Sequence, residues 1–580
     1  MRLVILLLLS VAVSPAQISI VKPYLAPDVP PVRMSNSDRT SATLRGGMLY
    51  LSLQDAIALA MDNNLDLASE RYGPLLAEWA LKRAQAGGPI RGVPSASAQV
   101  SSVNNGVGVN GSTASAGLGG GGGGNGGGSS GNASIQQIGA VTPNLDPILQ
   151  NSTTFSHLTQ PLANTVVSGT SALVQAQHTY NTTLQLGLLS GGSVLLRDYE
   201  QYLKENAPTD ALNPALGPHV DVTVRQNLLR GFGARLNGRS IEIAKLNILA
   251  ANESLRSQTL NLVANVTNLY WDLVSAQDTV KLRQSAVELA RKFRDDTDAK
   301  IKAGALAPVE LPRAEVELAS REQDVLIATT TLTQKQEALR AAILRDIDGP
   351  VGSAAIMPLD SIAVPSTEQL PAVRELVSRA MSKRPDVAVT RLQSQAAELA
   401  ALGTENPLLP SVQVFAQAYN RGVAGQPQPS GGPVDPFFVG GYGTALGQVF
   451  RRNFPSESAG VSVSATLNNR QAQGDYGADQ LQLRQSAIRG RRDANQIAVE
   501  ISNQVIALTQ ARARYSAAVE ARALQEQLLT GEQQKFTFGK GTTSGIILAQ
   551  RALVAARVAE ITALATYAHA RVSLDQVSGL

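Results

Sequence analysis

Residues 239–303 read RSIEIAKLNILAANESLRSQTLNLVANVTNLYWDLVSAQDTVKLRQSAVELARKFRDDTDAKIKA, without a single Gly or Pro. Apolar residues recur at Leu260, Val263, Val266, Tyr270, Leu273, Ala276 and Val280, the three-to-four step of one helix face. The stretch predicts one helix of about 65 residues, roughly 100 Å long at 1.5 Å per residue, where an ordinary globular helix has about 12. Such a helix buries its stripe only against helices of similar length. It ends at Gly304, and Pro308 stands where a return helix, 309–344, begins. Gly349-Pro350 closes this half of the chain.

The second half repeats the order. A helix at 370–402 is broken by Asn406-Pro407 and Pro410. Alternation over 411–419 and again over 460–468 predicts a β-hairpin within 411–468, with a Gly- and Pro-rich loop at 421–459. A second long helix is expected at 471–538, with Ile501, Val505, Leu508, Tyr515 and Val519 at heptad-like spacing. Gly539-Lys540-Gly541 ends it, and a return helix runs over 546–577. The halves register at two points. Ala60-Met61…Asp66 matches Ala380-Met381…Asp386, and the turn at Gly304 matches that at Gly539. The two offsets differ by about 85 residues, which places extra material between 93 and 225.

Working outward to the N-terminus, Arg2 precedes the apolar runs 3–9 and 11–13, and Ser14-Pro15-Ala16 offers small residues at a cleavage site. This predicts a secretory signal peptide over 1–16. No later segment reaches 18 continuous apolar residues, so entry into a membrane is expected as β-strands closed into a barrel. Residues 17–50, with Pro23, Pro27, Pro30 and Pro31, are expected to be extended and irregular. A helix follows over 52–86, with Ser52 as cap and Asp55 three residues on. The region 93–225 predicts a β-hairpin that carries a low-complexity loop at 104–132. In it, Tyr180–Leu188 and Val220–Arg225 alternate around a Ser190-Gly191-Gly192-Ser193 turn. The segment 346–369 is expected to be a linker.

Composition narrows the function. Of 580 residues 43% are hydrophobic but only 4% aromatic, which fits long helices packed by small residues. Zero Cys excludes disulfides, thiolate metal sites, Cys nucleophiles and a lipidated N-terminal Cys. His157, His178, His219 and His569 share no ligand spacing, so surface or packing roles are expected and no metal or cofactor. A net charge of +4 gives no basis for a nucleic-acid partner. Gly231 and Gly233 do not complete a dinucleotide fingerprint and are expected to let a strand become the long helix. Asp295, Asp296 and Asp298 read as a solvated face, and no catalytic set is found, so no enzyme activity is expected.

Five motifs carry a family resemblance: LSLQDAIALAMDNN (51–64), QNLLRGFGARLN (226–237), AGALAPVELPRAEVELASRE (303–322), SKRPDVAVTRLQSQAAE (382–398) and FGKGTTSGIILAQRAL (538–553). With them the chain resembles the outer membrane efflux protein (TolC) family over nearly all of its length after residue 16. The resemblance implies a mixed α and β membrane protein with internal duplication. Each protomer of a homotrimer gives four strands to a twelve-stranded outer-membrane barrel, which a long periplasmic α-helical barrel continues. It further implies an exit duct of a tripartite efflux or type I secretion system. The partners are a periplasmic adaptor (membrane fusion) protein and an inner-membrane transporter or secretion ATPase, in a Gram-negative outer membrane. The periplasmic tips, which dock the adaptor and gate the channel, fall at Gly304, Ala305, Leu306 and Val309 and at Gly539, Lys540, Gly541, Thr542 and Ser544. The family's acidic constriction maps onto Gly545 and Leu548, and its counterpart in the first half, Glu310, is the candidate aperture charge. The competing reading is a secreted helical-fibre protein, structural or adhesive, without a pore.

Overall fold

The computed structural model describes residues 24–87 and 144–579, apart from positions 30, 167, 305, 349, 350, 369 and 539. The expected leader at 1–16 and the Gly-rich loop at 104–132 lie outside the described residues. The lead-in expected to be irregular holds a helix, Asp38–Thr43 (α1), and a hairpin of Leu44–Arg45 (β1) and Met48–Leu51 (β2). β2 pairs in parallel with Ala355–Pro358, inside the segment expected to be a linker. Burial of Leu49, Leu51 and Ile356 fixes this small sheet on the helices. Strands of two and four residues are too short to display a period in the sequence.

The helix expected over 52–86 is three: Leu53–Asn63 (α2), Leu65–Glu70 (α3) and Tyr72–Gln85 (α4). Ser52 and Asp55 form a reciprocal capping box at its start. Asn64, with ψ 126°, ends α2, and its side chain accepts from the Leu67 amide at 2.9 Å to start α3. The second half breaks at the matching place. Val373–Lys383 (α8) and Pro385–Glu405 (α9) are separated by Arg384, again with ψ 126°. Here Pro385 forces the break, because it excludes the helical region for the residue before it.

The sheet departs from the expected count. In chain order its strands are Ile148–Pro161 (β3), Ala172–Gly187 (β4), Gly192–Glu205 (β5), Leu212–Leu216 (β6), His219–Asn227 (β7), Ser411–Arg421 (β9), Ala424–Pro427 (β10) and Pro455–Ser464 (β11). All pairings among them are antiparallel. β6 and β7 both run along β5 and are one strand interrupted at Gly217-Pro218. β9 and β10 are likewise one strand interrupted at Gly422-Val423. The ladder is therefore β3–β4–β5–β6/β7–β9/β10–β11, six positions where four were expected. Among its described residues the region 93–225 contains two hairpins, not one. The second half gives one, with a helix, Tyr442–Arg451 (α10), in its connection.

Between sheet and helices, Gly231 (φ +84°) and Gly233 (φ +104°) turn β7 into the short Ala234–Asn237 (α5) and then Arg239–Lys302 (α6). Glu310–Ile343 (α7) returns along α6, and β8 (Ala355–Pro358) follows. Arg470–Thr537 (α11) and Thr543–Ser578 (α12) make the second long pair. α12 packs on α6, joining the halves. One core gathers α2, α6, α7, β2 and β8 around Tyr270, Leu273 and Leu339; its counterpart gathers α8, α11 and α12 around Ile501, Leu508 and Tyr567.

Tyr270 is fully buried, and its hydroxyl lies 3.0 Å from the Leu51 carbonyl and 3.0 Å from Asp360 Oδ2. Tyr270→Phe strips a donor from the buried Leu51 carbonyl. It is expected to destabilise the helical part by about 1–3 kcal/mol, seen as an earlier denaturant midpoint by far-ultraviolet circular dichroism.

Candidate functional site: the sheet wall and the helix tips

Register decides which side chains share a sheet face. Leu184, Leu196, Val222, Ala418 and Glu457 form one cross-strand row, and Leu186, Val194, Val224, Ala416 and Ala459 the next. With Val461 and Val463 they make this face largely apolar and outward-looking. The opposite face carries Gln177, Thr179, Asn181, Arg197, Asp221, Arg225 and Gln417. A sheet apolar on one side and polar on the other, with strands of ten residues or more, has the pattern of a barrel wall between lipid and water. Its two end strands, β3 and β11, each pair on one side only among the described residues.

The helices show the same openness. Near the sheet the order across the wall is α4, α6, α9, α11; farther away it is α7, α6, α12, α11. The outermost members expose apolar side chains: Leu76 and Trp79 on α4, Val316, Leu326 and Ile327 on α7, and Leu481, Ile488, Ile506, Leu524 and Leu528 on α11. Positions 481, 488, 499, 506 and 524 of α11 are separated by 7, 11, 7 and 18 residues, all near whole numbers of turns, so they form one stripe.

The two tips lie at the same end. Phe293, Ala314, Ile546 and Ile547 cluster with Phe536, drawing together all four long helices. The first tip turns at Gly304 (φ +72°), whose amide donates to the Ile301 carbonyl at 2.9 Å. Leu306 is half-buried and Val309 exposed. Glu310 forms an ion pair with Arg313 at 2.9 Å, and its side chain is 17% exposed. At the second tip the Lys540 amide donates to the Lys535 carbonyl, and Thr542 caps α12 by accepting from the Gly545 amide at 3.1 Å. Lys540, Thr542 and Ser544 are exposed, as is Leu548. A Cβ on Gly541 would fall 2.7 Å from the Phe536 amide nitrogen, so this glycine is needed for a close backbone approach. Ala305 and Gly539 lie outside the described residues.

Three ionic joints were not visible in the sequence. Glu317 on α7, 2% exposed, receives Arg321 at 2.7 Å and Arg551 of α12 at 2.6 Å. Asp272 on α6 meets Lys335 of α7 and buried His569 of α12, each at 2.8 Å. Arg384 binds Asp386 at 2.7 Å and Glu500 of α11 at 3.3 Å, and also the Val577 carbonyl. Two members are local, the Arg-Pro-Asp spacing in the motif at 382–398 and the i,i+4 pair of Glu317 and Arg321. The pairs that reach α12, Glu317–Arg551 and Asp272–His569, join residues 234 and 297 positions apart. Among the described residues no group of three His, Asp or Glu is placed to hold a metal, and no helix is long and apolar enough to cross a membrane.

Residues 232–343, spanning α6 and α7, match the family model described as outer membrane efflux protein. That segment of the chain is thus similar to the outer membrane efflux protein family. It is 24% identical over 356 residues to the cobalt-zinc-cadmium resistance protein CzcC of Cupriavidus metallidurans, covering 60% of this chain and 73% of that relative. Its fold is similar to that of the Campylobacter jejuni CmeC outer membrane channel, with a TM-score of 0.56, 13% identity, and coverage of 96% of this chain and 94% of that one. The outer-membrane channel OprN is similarly related, with a TM-score of 0.57, 13% identity and coverage of 96% and 98%. The β-barrel-plus-helical-barrel architecture and the duplication implied by the resemblance are thus the fold this chain shares with these channels.

Burial alone would raise the Asp272 carboxyl, but hydrogen bonds from His569 and Lys335 outweigh it and hold the carboxyl below its ordinary value. A carboxyl lowered on folding adds stability above its unfolded value, and that stability is lost as pH falls through the lowered folded value. Asp272→Asn is expected to lower the thermal midpoint at neutral pH, with the gap to wild type closing below about pH 4. Midpoints measured across pH check this.

Proposed function

We propose that the chain is the outer-membrane exit duct of a tripartite efflux or type I secretion system, working as a homotrimer without catalysis. The observation that carries the reading is that sheet and helix wall both end in open edges on the same two sides. The first half supplies β3, α4 and α7 at one side; the second supplies β11 and α11 at the other. A ring of copies covers the exposed apolar stripes of the helices and leaves no strand edge in lipid. The polar sheet face then lines a water-filled lumen and the apolar face meets the outer membrane. A surface fibre without a pore has no use for a two-faced sheet of this kind.

In this reading the tips are the periplasmic end. Leu306, Val309, Lys540, Thr542 and Ser544 give the adaptor exposed or half-buried side chains, and Gly304 and Gly541 shape the turns; Ala305 and Gly539 belong to the same proposed docking segments. An inner-membrane transporter or secretion ATPase supplies the energy. Glu310 stands at the aperture as a charge compensated by Arg313, so the pore mouth carries less negative charge than a bare carboxylate ring gives. Opening is a small shift of the α11–α12 pair against the α6–α7 pair, and the Glu317–Arg551 bridge opposes it.

Reconstituted protein is expected to conduct ions in planar bilayers, and Glu317→Gln to raise the conductance or the open fraction by releasing Arg551. A wild-type preparation that never conducts overturns the duct. Ser544→Arg is expected to weaken adaptor cross-linking while leaving the assembly intact. Thr542 also caps α12 and Gly541 tolerates no Cβ, which makes Ser544 the clean position. Undiminished cross-linking counts against docking at this tip.

A further inference from the structure

The β3–β4 hairpin lies outside the strands that the duplication accounts for. The second half contributes β9/β10 and β11, which flank the loop bearing α10. The matching pair in the first half, the one leading into the long helix, is β5 and β6/β7. β3 and β4 precede that pair, and the ladder continues through them without a break. Thirteen residue pairs join β4 to β5, from Gln175↔Glu205 to Gly187↔Ser193, and β3 pairs with β4 from Ile148↔Gln185 to Pro161↔Ala172.

On the side that continues the apolar rows, β4 carries Val174, Ala176, Tyr180, Leu184 and Leu186 with His178 and Thr182, and β3 carries Leu149 and Phe155 with Asn151, Thr153, His157 and Thr159; Ser152, Thr154, Gln177 and Asn181 fall on the other side. A hairpin folded into the lumen as a plug, or out into solvent as a cap, has no need of an unbroken ladder in register with the wall. Strand direction also fits. β3 starts beside the end of α4, since the Leu145 amide donates to the Ala86 carbonyl at 3.0 Å, so it runs away from the helices. β11 precedes α11 and runs toward them. The two free edges are thus antiparallel to one another, which the closure of an antiparallel barrel requires.

We propose that this hairpin is a permanent part of the barrel wall. β3 of one copy pairs with β11 of the next, and three copies close eighteen strands instead of twelve. The proposal rests on the ring reading above and adds the strand count and the identity of the pairing edges. Strands about 4.8 Å apart and tilted about 40° give a barrel radius of about 12 Å for twelve and about 18 Å for eighteen. Four helix positions per copy, about 9–10 Å apart, give a twelve-helix ring of about 17–19 Å. The eighteen-stranded ring matches that helix ring in girth. Its cross-section is about twofold that of a twelve-stranded one, so the tips, not the outer-membrane segment, set the size limit for cargo.

Cysteine cross-linking of the full chain tests this on a clean background, because the sequence has no Cys. Thr154→Cys or Ser156→Cys in β3 is combined with Ser458→Cys or Ser462→Cys in β11. All four positions lie on the polar face, so they meet across the joint if the edges pair. The reference pairs are on the helix edges, Leu326→Cys in α7 with Leu524→Cys or Leu528→Cys in α11. Oxidation is expected to give covalent dimers and trimers from at least one β3–β11 pair as well as from a helix-edge pair. Helix-edge trimers with every β3–β11 pair silent overturn the eighteen-stranded wall and leave the ring standing. Silence at both edges overturns both.

Discussion

A backbone amide or carbonyl without a partner in hydrocarbon costs several kcal/mol, and among its described residues this protomer ends its sheet in two bare edges, of fourteen and ten residues. No side chain can cover such an edge; only another strand can. The same boundary runs down the helices as exposed leucines and isoleucines on α7 and α11. Sheet and helices therefore call for the same neighbour, presented from the same side. The two-faced strands, the outermost helix stripes and the convergence of both tips on one end all fit the proposed wall that closes on copies of itself.

Within one protomer the wall must also hold its two halves in a fixed relation. The apolar cores do this within each half, around Tyr270 and around Leu508. Between the halves, buried or half-buried ions act at two of the levels where α6 or α7 faces α12: Asp272 with His569, and Glu317 with Arg551. A buried ion pair adds little net stability against an apolar alternative, but removing one partner leaves a charge stranded. Such joints suit a contact that must stay in register yet remain able to slide. The buried Arg384, with Asp386 and Glu500, locks the start of α9 to α11 and to the end of α12.

Much of this was legible in the sequence because its signals are local and repeated. The long gaps without Gly or Pro set out the helices α6 and α11, and the glycines at 231 and 233 marked the strand-to-helix turn that their positive φ values bear out. The capping box at Ser52 was readable as a spacing. What escaped was either too short to have a period, as with β1, β2 and β8, or depended on tertiary pairing. The strands β3 and β4 were absorbed into one expected hairpin because Asn, Thr, Ser, Gln and His interrupt the apolar alternation, on β3 along both faces. The break at Asn64 was hidden because Asn serves as the stop of one helix and the cap of the next. The ion pairs across the halves had no local trace at all.

The mass of the intact assembly tests the central claim most directly. Native mass spectrometry of the protein released from a gentle detergent is predicted to give a single species of three chains, each 60.9 kDa before any leader is removed. A well-folded, stable monomer under the same conditions would contradict it, because the edges of β3 and β11 would then have no partner.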